Sequence, residues 1–385
     1  MPDFIFKIDN PYAEQIIQAY KEAGFETRYV GGCVRDSLLQ RPVKDIDLAT
    51  TALPQQSQDI LQKHHIKVIP TGMAHGTVTA VIDQHSFEIT TLRRDKDTDG
   101  RHATIEYSES WEEDAKRRDF TINALSANSN GEIFDYTDGL KDIEAKKLRF
   151  IGDAPLRIQE DYLRILRYFR FLSVLDWHDI DADALQACIT YKSQLKSLSR
   201  ERLHAELYKI LLGAGAVRVA QLMSEHGILS DIIGDLNIDR FEHLMVLEQA
   251  LNTADPLRRI LALVGYDDIA VLEKFMVPTQ RDKKRIGNLQ KILKNNDWPT
   301  KKHLYFTGAD AVFDHVFLNQ DLEMLKELKE WRNPIFPILS DKVIEIAGGP
   351  GPKLGQLLKQ GEDWWVEKDF QPDKDEILDY IKTIA

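Results

Sequence analysis

The apolar positions in the first third of the chain alternate between the periods of a helix and of a strand. A helix is predicted from Asn10-Pro11 to Gly24, since asparagine caps a helix start, proline fits the first helical position and glycine suits the end. The later segments with a helical or strand pattern are residues 26–30 (ETRYV, strand), 33–40 (CVRDSLLQ, helix), 45–50 (DIDLAT, strand) and 76–92 (two β-rich runs with a polar turn at 83–85). Mixed α and β structure is therefore expected over about the first 150 residues.

Two changes of pattern follow this mixed segment. Residues 93–111 (RRDKDTDGRHATIEYSESW) are highly polar, which predicts a long mobile loop, and loops of that length are uncommon unless functional or disordered. After Pro155 the pattern is mostly helical, and residues 156–175 and 197–212 each predict one helix. The expected fold class is α+β, with a mixed β-sheet at the front and an all-helical remainder.

Composition narrows the class of protein. The chain has 385 residues, 43% of them hydrophobic and 29% charged, as in ordinary globular proteins, and no run of about 18 apolar residues that predicts a membrane span. Cys33 and Cys188 lie far apart without zinc-site spacing, which indicates a reduced, cytoplasmic protein. The net charge of −12 argues mildly against a polyanionic partner, although a local basic stripe can still bind phosphate.

Two carboxylates are candidates for a metal site. Asp45 and Asp47 lie one residue apart in the predicted strand 45–50, so their side chains project from the same face. Such a pair repels itself unless a cation lies between, and Mg²⁺ prefers one or two carboxylates together with substrate phosphates. The alternative is an exposed edge strand. Glu88, in a later predicted strand, either adds a third carboxylate to this face or is simply exposed.

Glycines and arginines nearby are candidates for binding phosphate. Gly31-Gly32 lies where a predicted strand meets a helix, and glycine there lets backbone N–H groups approach a phosphate, although an ordinary tight turn has the same pattern. Arg35, one turn into the helix, could reach the same anion. Arg118 is a second candidate phosphate contact and Asp119 could cap the helix after it, whereas surface charge before a helix is the alternative.

A row of charges in the segment 160–171 (EDYLRILRYFRF) is the most informative pattern. In the predicted helix Asp161 and Arg164 share a face, and Arg167 and Arg170 continue at the same spacing, giving a one-sign row that repels itself unless a polyanion lies along it. An ordinary surface ion pair is the alternative for Asp161 and Arg164.

Hydrogen-bond polarity suggests a role for that pair. A carboxylate accepts and a guanidinium donates, whereas cytosine and adenine each present an amino donor beside a ring-nitrogen acceptor. Uracil and guanine present the reverse, so they would leave buried polar groups unsatisfied at a cost of about 1–3 kcal/mol each. Asp161 and Arg164 are therefore candidates for selecting C and A without a nucleic-acid template.

Taken together, these motifs resemble one family. The segments GGCVRDSLL, DIDLAT, RRDFTINALS and EDYLRILRYFRF occur in this order, and the chain resembles the class II tRNA nucleotidyltransferases, the CCA-adding enzymes of the polymerase-β-like superfamily. The motifs span residues 31–171, and residues 197–212 resemble the segment beyond them. The resemblance implies a nucleotidyltransferase head (1–150), a helical neck for base selection (151–213), a helical body (214–300) and a helical tail contacting tRNA (301–385).

The resemblance also implies the site. Asp45 and Asp47 would be catalytic and hold Mg²⁺, Gly32, Arg35 and Arg118 would contact the nucleotide, Asp161 and Arg164 would read the base, and Arg167 and Arg170 would lie near the nucleotide. The reaction would be attack of the tRNA 3′-hydroxyl on the α-phosphate of CTP or ATP, with release of pyrophosphate. The sequence leaves the oligomeric state open.

Several alternatives stay open. The full length of segment 93–111 favours complete CCA addition over CC-only addition, while A-adding enzymes share these motifs. Poly(A) polymerases of bacteria usually carry a basic C-terminal extension, whereas this chain ends in an acidic segment. A silent RNA-binding protein is the candidate from another class. The basic segment 279–302 could follow tRNA phosphates or be solvated helix surface, and His178-Asp179 is interpreted as surface.

Overall fold

The chain divides into two compact units, Met1–Leu236 and Asn237–Ala385. The computed structural model describes residues 5–70, 72–98, 103–265, 272–273, 275–295, 300–319, 328 and 330–385, with backbone alone for 95–98 and 103–105. The divisions predicted at residues 150, 213 and 300 stay predictions.

A seven-stranded mixed sheet forms the front of the first unit. Its strands are β1 Thr27–Val30, β2 Asp47–Thr50, β3 Lys67–Ile69, β4 Thr77–Ile82, β5 His85–Thr91, β8 Ser126–Ala127 and β9 Ile133–Phe134, in the order β3-β4-β5-β2-β1-β8-β9. The pair β2–β5 is parallel and the other pairs of this sheet are antiparallel. The predicted α+β class with a mixed sheet is confirmed.

Helices complete the first unit. They are α1 Pro11–Glu22, α2 Gly32–Leu38, α3 Pro54–Lys63, α4 Trp111–Lys116, α5 Gly139–Ala145, α6 Ala154–Glu160, α7 Leu163–Leu175, α8 Ala182–Tyr191, α9 Arg200–Leu211, α10 Ala216–Glu225 and α11 Ser230–Ile233. Helix α1 starts as predicted, with the Asn10 side chain accepting from the N–H groups of Tyr12 and Ala13. The polar turn predicted at 83–85 is observed at Asp83 and Gln84, which both take positive φ as in a type I′ hairpin turn, while His85 already belongs to β5.

Two predictions for the first 111 residues are wrong. Strand β2 begins at Asp47, so Asp45 precedes the strand and is not paired in it. The segment 93–111 is not an irregular loop, because Arg93–Thr98 (β6) and Ala103–Tyr107 (β7) pair as an antiparallel hairpin and α4 starts at Trp111. Backbone hydrogen bonds pair strands whatever their side chains, so polarity alone is a poor guide here. Residues 99–102 of that segment lie outside the described residues.

The predicted long helix 156–175 is two helices. Asp161 lies between α6 and α7 in an extended conformation (φ −156°, ψ 106°), and its Oδ1 accepts from the backbone N–H of Leu163 at 3.0 Å. Short acidic side chains that bond nearby N–H groups compete with helix continuation, which explains the break. Helix α9, by contrast, lies within the predicted segment 197–212.

The second unit is helical in its described residues. Its helices are α12 Ile238–Ala250, α13 Pro256–Val264, α14 Gln280–Lys294, α15 Thr300–Thr307, α16 Ala309–Asn319, α17 Ser340–Ala347, α18 Pro352–Glu367 and α19 Lys374–Ile384. In addition to apolar contacts, the second unit contains a buried group of charged side chains in which Asp314 accepts from Arg258 and Arg285. In the part of the chain that the structure describes, every helix is too short or too polar to cross a bilayer.

Candidate active site

A cavity of about 770 Å³ in the first unit collects nearly all the predicted site residues. The predicted residues that line it are Gly32, Arg35, Asp47, Arg118, Asp161, Arg164, Arg167 and Arg170. Further lining residues include Gly31, Arg93, Arg117, Asp119, Asn123, Arg202 and Lys209. Asp45 is exposed and is not part of the lining. The cavity is therefore strongly cationic, although three carboxylates, Asp47, Asp119 and Asp161, also line it.

The glycine turn reaches this cavity at the end of β1. Gly31 has φ +71°, a conformation that L-residues with a side chain rarely adopt, and a Cβ there would lie 3.0 Å from Nη1 of Arg118. Gly32 then starts α2. The turn thus keeps the backbone at Gly31 and Gly32 bare toward the cavity and leaves room for the Arg118 guanidinium beside it.

Carboxylates gather around Asp47. Strand β2 pairs in parallel with β5 so that Asp47 is in register with Glu88, which puts both side chains on the same face. Glu88 is also exposed, so both alternatives given for it are compatible with the structure, and its part in the site stays a prediction. Burial and the Glu88 carboxylate raise the pKa of Asp47, Arg118 offsets part of this effect, and Asp45 adds to it. Asp45 thus lies close enough to Asp47 to interact electrostatically, although it stands before the strand.

This group is an incomplete metal site. Within the described residues, no cluster of three or more His, Cys, Asp or Glu side chains is arranged to hold a metal ion. Two carboxylates alone are nonetheless compatible with Mg²⁺, which usually keeps several waters and takes further oxygens from substrate phosphates. The donors present are oxygens, the ligand type that this ion prefers.

The two arginines near the glycine turn are each held by a neighbour. Arg35 is buried, and it donates to Asp36 at 2.9 Å and to Asn123 at 2.5 Å. Arg118 donates to Asp114 at 2.9 Å. Asp114 is 3% exposed, and although burial raises its pKa, Arg118 and Arg117 hold that pKa below its usual value. The guanidinium groups are thus oriented before any ligand arrives.

The arginines of α7 form no uncompensated row, which corrects the prediction from their spacing. Arg164 pairs with Glu160, and Arg170 donates to Glu206 of α9 at 2.9 Å. Arg167 donates to Asp119 at 2.6 Å. Each positive charge therefore has a carboxylate partner within the protein, so the spacing alone does not demand a bound polyanion.

The sequence suggested that Asp119 caps the helix after it, but the structure shows a different role. Its Oδ1 accepts from the N–H of Phe120 and from Asn123, and its Oδ2 accepts from Arg167. Burial raises the pKa of Asp119, but the Arg167 charge and these hydrogen bonds outweigh burial and hold the pKa below its usual value. Asp119 therefore positions Arg167 in the cavity wall.

Asp161 and Arg164 both line the cavity but do not pair with each other. Because Asp161 lies before α7, the two residues do not share a helix face as predicted. Oδ2 of Asp161 accepts from Arg202 of α9 at 2.7 Å. Arg164 pairs with Glu160 and donates to the backbone oxygen of Arg157 at 2.7 Å.

Sequence reasoning found none of these partners, and Asp114 and Arg202 show why. Asp114 stands three and four residues before Arg117 and Arg118, a helical spacing that could have revealed the pairing. Arg202 is 41 residues from Asp161, and no local pattern connects them. His178, interpreted as surface, is exposed.

Comparison with known proteins agrees with this architecture. Residues 27–149 match the family described as "Poly A polymerase head domain", and residues 179–237 match "Probable RNA and SrmB- binding site of polymerase A". The chain is 33% identical to "CCA tRNA nucleotidyltransferase 1, mitochondrial" of Mus musculus over 96% of this chain and 89% of that protein.

Solved structures are similar over most of the chain. The CCA-adding enzyme of Bacillus stearothermophilus in complex with CTP has a TM-score of 0.74 and 26% identity, covering 97% of both chains. A tRNA nucleotidyltransferase complexed with a primer tRNA and an incoming ATP analog has a TM-score of 0.61 and 26% identity, covering 82% of this chain and 100% of the other.

The mixed-sheet head and the cavity behind its glycine turn define a nucleotidyltransferase with a poly(A) polymerase type of head. Identity of 33% over nearly the whole length narrows the class further, and the chain belongs to the CCA-adding tRNA nucleotidyltransferase family. The resemblance found in the motifs is thereby confirmed. The roles of individual residues stay predictions.

Proposed function

We propose that this protein adds C, C and A to the 3′ ends of tRNA, using CTP and ATP. The tRNA 3′-hydroxyl attacks the α-phosphate and a new P–O bond forms. The bond between the α-phosphate and the pyrophosphate leaving group breaks, and the hydroxyl proton passes to solvent. The observation that carries this proposal is one cavity lined both by Gly32 and Asp47 and by Asp161 and Arg164. The groups that we assign to phosphate binding and to base reading thus line one volume, which is of a size suited to one nucleotide.

The triphosphate end is assigned to the glycine turn and its neighbours. Gly32 offers bare backbone, and Arg118, held by Asp114, offers a fixed guanidinium to the phosphates. Asp45 and Asp47 are the candidates for holding Mg²⁺. When bound, this ion supplies positive charge to the phosphate oxygens and activates the attacking hydroxyl. Burial and, after it, the Glu88 carboxylate raise the pKa of Asp47, and a cation bound beside the two aspartates would favour its ionised form.

The base end is assigned to Asp161 and Arg164. The Asp161 carboxylate accepts from an amino group and the Arg164 guanidinium donates to a ring nitrogen, a pattern that suits C and A and opposes U and G. To reach the base, Arg164 must exchange or share its ion pair with Glu160. Arg35 is assigned to nucleotide contact through its place in the cavity wall, and Arg167 and Arg170 are assigned in the same way.

Other parts of the chain are assigned more coarsely. We assign head, neck, body and tail functions to residues 1–150, 151–213, 214–300 and 301–385. Helix α14 carries much of the basic segment 279–302 and is our candidate for following tRNA phosphates. A cytoplasmic location is proposed from the two free, buried cysteines, while the relatives include a mitochondrial protein as well as a bacterial one.

Incorporation of single nucleotides tests the function. Purified protein is incubated with tRNA lacking its CCA end, with Mg²⁺, and with CTP, ATP, UTP or GTP alone and in combination. The expected result is two C residues with CTP, one further A when ATP is added, and loss of incorporation with EDTA. Incorporation of ATP only after CC has been supplied would identify an A-adding enzyme. Extension stopping at CC would identify a CC-adding enzyme, long A tails a poly(A) polymerase, and no incorporation an RNA-binding protein.

A further inference from the structure

The Asp161 carboxylate, assigned to base reading, is held by Arg202, which lies in segment 197–212 and not in one of the four motifs that carry the predicted site residues. Asp161 lies in extended backbone between two helices, so helical packing does not orient its side chain. Two contacts orient it instead: Oδ1 accepts from the N–H of Leu163 at 3.0 Å, and Oδ2 accepts from Nη2 of Arg202 at 2.7 Å. The first contact comes from the same segment and the second from another helix.

Helix α9, which carries Arg202, is fixed against α7 at two further places. Glu206, one turn after Arg202, accepts from Arg170 at 2.9 Å and is 5% exposed. Ser173 of α7 donates to the backbone oxygen of Ile210 at 2.6 Å. Because α9 is anchored in this way, Arg202 projects from a rigid support, and its contact with Asp161 transmits that position to the carboxylate.

We propose that Arg202 is a positioning residue that sets the direction of the Asp161 carboxylate and thereby the discrimination between bases. A carboxylate has about four lone-pair sites. Leu163 and Arg202 take two of them, which fixes the carboxylate and leaves two sites for the base. Without Arg202 the side chain of Asp161 turns more freely, so a wrong base meets a weaker penalty. This inference rests on the proposed function.

The competing explanation is that Arg202 binds the triphosphate directly. It lines the cavity, as do other arginines, and phosphate contact would make it part of general nucleotide binding. The two roles differ in their kinetic signature. Loss of a phosphate contact raises KM equally for all four nucleotides, whereas loss of a positioning contact changes the ratio between right and wrong bases.

The test compares Arg202→Gln, Arg202→Lys and Lys209→Gln with the wild type. Lys209 is the matched control, because it lies on the same helix and lines the same cavity but contacts Glu206 instead of Asp161. For each protein, kcat/KM is measured with CTP, ATP, UTP and GTP on tRNA lacking the CCA end. Thermal melting checks that each variant is folded.

We expect Arg202→Gln to lower the ratio of kcat/KM for CTP over UTP by about tenfold, which corresponds to about 1.4 kcal/mol. Arg202→Lys should restore part of the ratio, and Lys209→Gln should leave it unchanged while raising KM for every nucleotide alike. In an Asp161→Asn background, Arg202→Gln should add little, because it acts through Asp161.

Two results would overturn the inference alone. In the first result, the wild type adds C and A, but the Arg202→Gln variant has an unchanged ratio of kcat/KM for CTP over UTP. The other is an equal loss for all four nucleotides, which would assign Arg202 to the phosphates. No incorporation by the wild type would overturn the proposed function and this inference with it.

Discussion

Replacing Asp47 by asparagine should abolish nucleotide addition and yet stabilise the metal-free protein. Neighbouring strands lie about 4.8 Å apart, so the register between Asp47 and Glu88 sets two negative charges at roughly that distance. Their repulsion is about 0.9 kcal/mol in water and about 3.5 kcal/mol at an effective dielectric constant of 20. Because Glu88 is exposed, the lower end applies, about 1 kcal/mol.

The gain is measurable as a melting temperature. For a unit of 150–250 residues, about 1 kcal/mol corresponds to roughly 2–4 °C, so the Asp47→Asn variant should melt that much higher than the wild type in EDTA at neutral pH. Burial and Glu88 raise the pKa of Asp47, so the ionised group costs stability as the pH rises through that pKa. The gain should therefore shrink as the pH falls and the wild-type carboxyl becomes protonated.

Magnesium and a second variant complete the experiment. Mg²⁺ should raise the melting temperature of the wild type and leave that of Asp47→Asn nearly unchanged. Glu88→Gln removes the same repulsion from the exposed partner and should also raise the melting temperature in EDTA, while its activity tells whether Glu88 shares the site. A lower melting temperature for Asp47→Asn in EDTA, or an equal response to Mg²⁺, would refute the reasoning.

Three further predictions concern other parts of the chain. Arg164→Ala should increase incorporation of UTP and GTP relative to CTP and ATP while tRNA binding in a filter assay persists; unchanged discrimination would leave Arg164 an ordinary ion-pair residue. Asp314→Asn should destabilise the second unit by about 3–5 kcal/mol in denaturant unfolding, because Arg258 and Arg285 lose a fully buried carboxylate, and a neutral result would contradict a structural role. Asp114→Asn should lower the free energy of unfolding at neutral pH. The difference from the wild type should vanish as the pH falls below the ordinary aspartate pKa and through the depressed pKa of Asp114. A difference that stays constant down to that pH would disprove this prediction.

Local chemistry made much of the first unit predictable. The start of α1 at Asn10-Pro11 and the turn at Asp83-Gln84 depend on residues close together in sequence, and both are confirmed. The polar segment 93–111 was misjudged, because pairing between β6 and β7 depends on backbone groups that composition does not describe. The helix break at Asp161 was missed because the apolar periodicity continues across it. The break depends on a single side chain, since Oδ1 of Asp161 accepts from the backbone N–H of Leu163.

The sequence by itself determined the family, the mixed-sheet head and a set of candidate site residues, because strand and helix periods, glycine turns and motif order can be read along the chain. All of these candidate residues except Asp45 line one cavity. Only the tertiary structure decided how those residues are held. Arg202 reaches Asp161 across 41 residues and Arg167 reaches Asp119 across 48. Contacts between distant segments depend on how whole helices and strands pack, and a charged side chain takes whichever partner that packing brings within reach.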